Sequence, residues 1–150
     1  MFGIFGKKKA DAQLFEEFAR RVLSREMTTE QALYEIAQYK VTDEAFMAVM
    51  SMVKRLEGSN LELGYTVSSL IHEVVRRGDY NDLMRATSAL TLADLSSEMR
   101  MYDRSIELYQ DCITTYRSLS ARHPEFRSHP GESIALGNLG IVYGKLGDYQ

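Results

Sequence analysis

Ala135-Leu136-Gly137-Asn138-Leu139-Gly140-Ile141-Val142-Tyr143-Gly144-Lys145-Leu146-Gly147-Asp148-Tyr149 is the stretch whose reading decides the fold. Small and large apolar residues recur along it at helical spacing, which predicts a helix rather than a strand. Gly137, Gly140 and Gly144 have the small-xxx-small spacing that lets two helices approach closely. A dinucleotide-binding loop would need a strand just before such glycines, and none is expected there.

Working outward, Tyr102, Ser105, Ile106, Tyr109, Cys112, Ile113, Tyr116 and Leu119 form the most sustained helical stripe and predict a helix over 102–121. The chain has 2 prolines, Pro124 and Pro130, both in a loop expected over 123–131, with Pro130 and Glu132 suited to the first turn of the last helix. Upstream, Leu83, Ala86, Leu90 and Ala93 give a narrower face on a helix over 80–99, with Asp79 as its cap. Leu63, Val67, Leu70, Ile71 and Val74 share a face that opens on a Ser59/Glu62 capping pattern and closes at Gly78. Thr42 precedes the stripe Phe46, Val49, Met50, Val53 and Leu56, which leaves Met47 and Met52 off the core face. Thr28 and Gln31 match a capping box, and Leu14, Phe15, Phe18 and Val22 mark a first helix over about 10–24. The fold class that follows is all-α.

Asp103-Arg104-Ser105-Ile106-Glu107-Leu108-Tyr109 resembles the second helix of a tetratricopeptide repeat (TPR), with Ser105, Tyr109 and Cys112 at its small, aromatic and small positions. The 135–149 stretch resembles the first helix of the next unit. The resemblance implies that Leu139, Gly140 and Tyr143 meet a second helix, and that Gly147, Asp148 and Tyr149 form the turn leading to it. Leu92, Ala93 and Ser96 correspond to Leu139, Gly140 and Tyr143, with Arg100 and Met101 in place of the turn's Gly-Asp. Ala93 and Gly140 stand 47 residues apart, longer than the family period of about 34, so the excess is assigned to a long helix and the proline loop. The implied architecture is a TPR-like α-solenoid of antiparallel helix pairs. Residues 1–9 are expected to be a flexible terminus, 10–57 a helical N-terminal cap or degenerate repeats, and 58–150 the repeats, the last one incomplete. The chain is expected to be the amino-terminal piece of a longer repeat protein.

Composition narrows the chemistry. A net charge of −3 argues against general nucleic-acid affinity. No run reaches the roughly 18 apolar residues needed to cross a bilayer, so stable membrane insertion is not expected. Phe2, Ile4 and Phe5 ahead of Lys7, Lys8 and Lys9 make a weak candidate membrane contact, outweighed by a plain chain terminus. The single cysteine, Cys112, lies inside an apolar stripe as a small hydrophobe, and a cytoplasmic location is expected. No nucleophile–base pair, phosphate loop or metal-ligand spacing is present, so neither catalysis nor a cofactor or metal is expected. His123, Glu125 and His129 read as a solvated loop, and His72 as a partly exposed helix residue.

The expected function is a non-enzymatic protein-interaction scaffold of TPR type, holding a protein or peptide partner on a concave surface. The resemblance places Arg85, Ser88, Asn138, Val142 and Lys145 on the lining helices, as non-core positions. Two alternatives stand beside it. The chain could be the regulatory or sensor front end of a larger signalling or effector protein, or a homo-oligomer using exposed Leu136, Leu139 and Tyr143.

Overall fold

The computed structural model describes residues 7–148 and is all-helical apart from one two-residue ladder. The chain divides into two compact units, 1–79 and 80–150.

The first unit contains β1 (Lys8–Lys9), α1 (Ala12–Leu23), α2 (Thr29–Ile36), β2 (Tyr39–Lys40), α3 (Asp43–Glu57) and α4 (Leu61–Arg77). Local chemistry sets the helix starts. Asp11 accepts the Leu14 amide at 2.8 Å, Thr28 and Gln31 complete a reciprocal capping box, and Thr42 and Asn60 cap α3 and α4. The α4 cap is thus Asn60, one residue beyond the expected Ser59, and its side-chain oxygen takes the Leu63 amide. Helix α1 ends on Arg25 at φ 64°, with Arg25 and Glu26 amides returning to the Val22 and Arg21 carbonyls. That is the Schellman closure, in which a left-handed residue satisfies the last carbonyls.

Phe15, Ala19, Leu33, Ile36, Phe46, Val49, Val53, Leu63, Val67, Leu70 and Ile71 form this unit's core. Met52 joins them, against the sequence expectation, because α3 also packs on α1 and its buried face is wider than one stripe. Met47 is exposed as expected. His72 is buried rather than partly exposed, since α4 contacts α1, α2 and α3 together and leaves little of its surface free. For the same reason the boundary expected between residues 57 and 58 falls inside this unit. Lys8 and Lys9 are not loose either: they pair in parallel with Tyr39 and Lys40, and the Ala10 amide donates to the Lys40 carbonyl at 2.8 Å. Ala10 and Val41 are buried at the end of that ladder. Phe2, Ile4 and Phe5 lie outside the described residues.

The second unit contains α5 (Asp82–Glu98), α6 (Tyr102–Arg122), a 3-10 turn (Pro124–Ser128) and α7 (Gly131–Asp148). Asn81, not Asp79, caps α5, accepting the Met84 amide at 2.9 Å. The α5–α6 turn closes by the same Schellman geometry as α1, with Arg100 at φ 60° and the Met101 amide on the Ser96 carbonyl at 2.8 Å. Arg100 therefore takes the left-handed position that glycine usually fills. Helix α6 packs on α5 through Leu108, Tyr109, Cys112, Ile113 and Tyr116, and Ser105 Oγ donates to the Ala93 carbonyl at 2.9 Å. The expected 123–131 loop is largely helical turn, because His129 stacks on Tyr116 at 5.0 Å and its Nδ1 accepts the Gly131 amide. Helix α7 docks on α6 and touches α5. It runs on through Gly147 and Asp148, where a turn was expected; Tyr149 lies outside the described residues.

Candidate functional site

Helix α7 is apolar on nearly every side, the pattern of a helix meant to be covered all round. Ala135 and Val142, two turns apart, are buried on the side toward its neighbours, and half-buried Leu139 and Leu146 border them. The opposite side has a defined relief. At about 100° per residue, Gly137, Gly140, Gly144 and Gly147 fall along one line. A methyl group built on any of them would meet nothing within 4 Å. Ile134 and Ile141 flank that trough on one side at 45% and 58% exposure, and Leu136 and Tyr143 on the other at 44% and 49%. The glycines expected to lie in close helix contact therefore lie open, and the expected exposure of Leu136 and Tyr143 is present, whereas Leu139, expected to be exposed with them, is half-buried because it lies next to the docked side.

Within the same unit, α5 carries small residues on a covered face. Leu92, Ala93 and Ser96, expected from the resemblance to correspond to Leu139, Gly140 and Tyr143, are fully buried. Ala93 meets Ser105 of α6 directly. The Gly140 position of α7 has no such neighbour.

The residues expected to line a groove separate into different environments. Ser88 and Val142 are in the core and thus are not the non-core positions expected. Ser88 returns its hydroxyl to the Arg85 carbonyl at 3.1 Å, so it packs like a small apolar residue, and Val142 shares the buried line of Ala135. Arg85 is half-buried beside Asp82 at 3.4 Å. Asn138 is half-buried and donates to Asp94 Oδ1 at 3.0 Å. Lys145 is exposed and borders the Ile134–Ile141 ridge.

Asp94 was not singled out in the sequence, although a lone carboxylate in the run Leu92-Ala93-Asp94-Leu95-Ser96 is a legible signal. Its Oδ1 accepts from both the Tyr109 hydroxyl of α6 and the Asn138 amide of α7, pinning three helices at one atom. Burial raises the Asp94 pKa, opposed by these two hydrogen bonds, which favour the charged form. Burial also raises Tyr109, helped by the carboxylate beside it, and pushes the Cys112 thiol up to about 12. Cys112 is thus held as an inert thiol. The cluster has the character of a structural pin.

An open cleft of about 530 Å³ lies between the start of α5 and the 3-10 turn, with Leu83, Leu119 and Phe126 in its lining. Its charged groups face each other: Arg122 pairs with Asp82, and His123 with Glu125 at 3.7 Å. Among the described residues no group of His, Cys, Asp and Glu side chains is placed to hold a metal. No described helix is long and apolar enough to cross a membrane. No family model, curated protein or solved structure matches the chain.

Proposed function

We propose that this chain is a non-enzymatic protein-interaction scaffold built from TPR-like helix pairs, and that its principal docking surface is the outer face of α7. The observation that carries this reading is the glycine trough between the Ile134–Ile141 and Leu136–Tyr143 ridges. Each ridge residue has about half of its burial still to gain, roughly 1 kcal/mol apiece. The trough brings a partner's backbone close, where dispersion contacts are densest.

The occupant is a helix of the α6 kind. Inside this chain, α6 covers the corresponding line of α5 with the small, aromatic and small residues Ser105, Tyr109 and Cys112. Such a partner works by an apolar stripe laid into a preformed groove, and no bond is made or broken. On this reading the docking surface borders exposed Lys145 and leaves out the buried Ser88 and Val142.

A synthetic peptide copying residues 102–122 provides the test, its binding followed by fluorescence anisotropy. The expected result is saturable binding that falls more than tenfold in Gly140→Leu, which fills the trough, and in Ile141→Asp. Binding that ignores both substitutions would mean that the peptide merely displaces α6, and the reading fails. Sedimentation over a concentration range distinguishes a second copy as occupant, since self-association would then be lost in the same variants.

A further inference from the structure

We infer that Asp94 is the positioning residue that decides which face of α7 is docked. It accepts the Asn138 amide at 3.0 Å and thereby turns the glycine trough outward. The consequence for docking rests on the function proposed above, whereas the orientation of α7 is measurable without a partner. Hydrophobic burial alone does not choose this face. At about 100° per residue, Gly131, Ala135, Asn138 and Val142 fall along one line of the helix, and Gly140 lies roughly half a rotation away. The inward line buries Ala135 and Val142, while the larger Ile134, Leu136, Ile141 and Tyr143 stay on the exposed side. A helix apolar on nearly every side, rolled by half a rotation, would bury more apolar area and not less.

A polar pair makes the choice. Between Ile134 and Gly144 the side chains able to donate a hydrogen bond are Asn138 and Tyr143, and Tyr143 is on the exposed side. Half-buried Asp94 of α5 presents a carboxylate that also takes the Tyr109 hydroxyl of α6. Any other roll would set glycine, isoleucine or leucine against that carboxylate and withdraw the Asn138 donor, and a half-buried charge deprived of a partner is costly. A lone polar pair in an apolar seam fixes register in coiled coils on the same principle, at some cost in stability. The remaining ties guide the roll less. Arg117 reaches Glu132 in the first turn of α7, but its side chain is 63% exposed, and such a pair follows a turned helix. Gly131 packs closely on Tyr116 and, having no side chain, sets how near α7 begins more than how it is rolled.

The test places single reporter thiols in the full chain, by Gly140→Cys on the open side or Val142→Cys on the docked side. Their alkylation is followed by mass spectrometry, with buried Cys112 as internal reference. With Asp94 present, the first thiol is expected to react about 100-fold faster than the second. Asp94→Leu, or Asn138→Leu, should slow the first and quicken the second, so that the ratio falls at least about tenfold while circular dichroism shows the helices retained. Exchanging the pair, Asp94→Asn with Asn138→Asp, keeps a donor and an acceptor across the seam and should restore the parent ratio. A ratio unmoved in both leucine variants overturns the inference, because packing then orients α7 by itself. Both thiols quickened together overturn it too, since the pair then only stabilises the unit, and so does a ratio that the exchanged pair fails to restore. The peptide copying residues 102–122 separates the two readings. Reciprocal labelling shifts beside a peptide that never binds remove the docking reading alone, and a bound peptide beside an unmoved ratio removes this inference alone.

Discussion

Glycines of α7 should respond to alanine with opposite signs, because one is packed and the others are open. A methyl group on Gly131 would lie 2.2 Å from the Tyr116 Cζ. That ring is buried and stacked on His129, so it cannot swing away without losing the contact that shapes the 3-10 turn. Overpacking of this kind costs about 1–3 kcal/mol, set against about 0.5–1 kcal/mol that alanine gains over glycine in a helix. Gly131→Ala is expected to lose roughly 1–2 kcal/mol net. At Gly140 there is no neighbour within 4 Å and no described glycine has a positive φ, so only the helical gain remains. Gly140→Ala should stabilise the second unit by about 0.5–1 kcal/mol. Urea unfolding followed by circular dichroism reads a 1 kcal/mol change as a midpoint shift of about 0.3–1 M. Hydrogen exchange across 131–148 assigns the change to α7. A destabilised Gly140→Ala, or a Gly131→Ala as stable as the parent, would refute the reasoning. Stability gained at Gly140 alongside weaker helix docking in Gly140→Leu would indicate that the trough is kept at a cost to the free protein.

Three further outcomes follow from the packing. Because burial raises Asp94, the folded state binds that proton more tightly than the unfolded chain does. Its stabilising effect is complete below the ordinary aspartate pKa of about 3.9 and is lost as pH rises through the elevated native value. Urea midpoints against pH should therefore fall less steeply over that interval in Asp94→Asn than in the parent, and identical slopes would discount the effect. Arg100→Gly should raise the thermal midpoint by the equivalent of roughly 1 kcal/mol, since a left-handed residue with a side chain is strained there, whereas Arg100→Ala should not. Thr28→Ala should cost the first unit about 1 kcal/mol by breaking the capping box, visible as faster amide exchange at the start of α2.

Where one local signal dominated, the fold was legible in the sequence. The Thr28–Gln31 box, the Thr42 cap and the α4 stripe from Leu63 to Val74 lie in the structure as read. Legibility failed where several neighbours share a helix. α5 buries Met84, Ala86, Ser88, Ala89, Leu92, Ala93 and Leu95, more than one stripe, so periodicity gave too narrow a face and the resemblance put Ser88 among exposed lining positions. Small residues make such helices hard to read, because serine and alanine satisfy themselves locally and fit either side. The β1–β2 ladder has no sequence signature, since two residues carry no periodicity and the pairing is long-range. For the candidate site, the outward Leu136 and Tyr143 were legible from spacing. The Asp94 pin was not, because its partners come from two other helices.

The ladder also fixes how the start of α1 is held. With Ala10 seated and donating to Lys40, the backbone has no slack between Lys8 and the cap of α1 at Asp11. A pull on the strand at Lys8–Lys9 is therefore passed to the junction of α2 and α3 as directly as to α1.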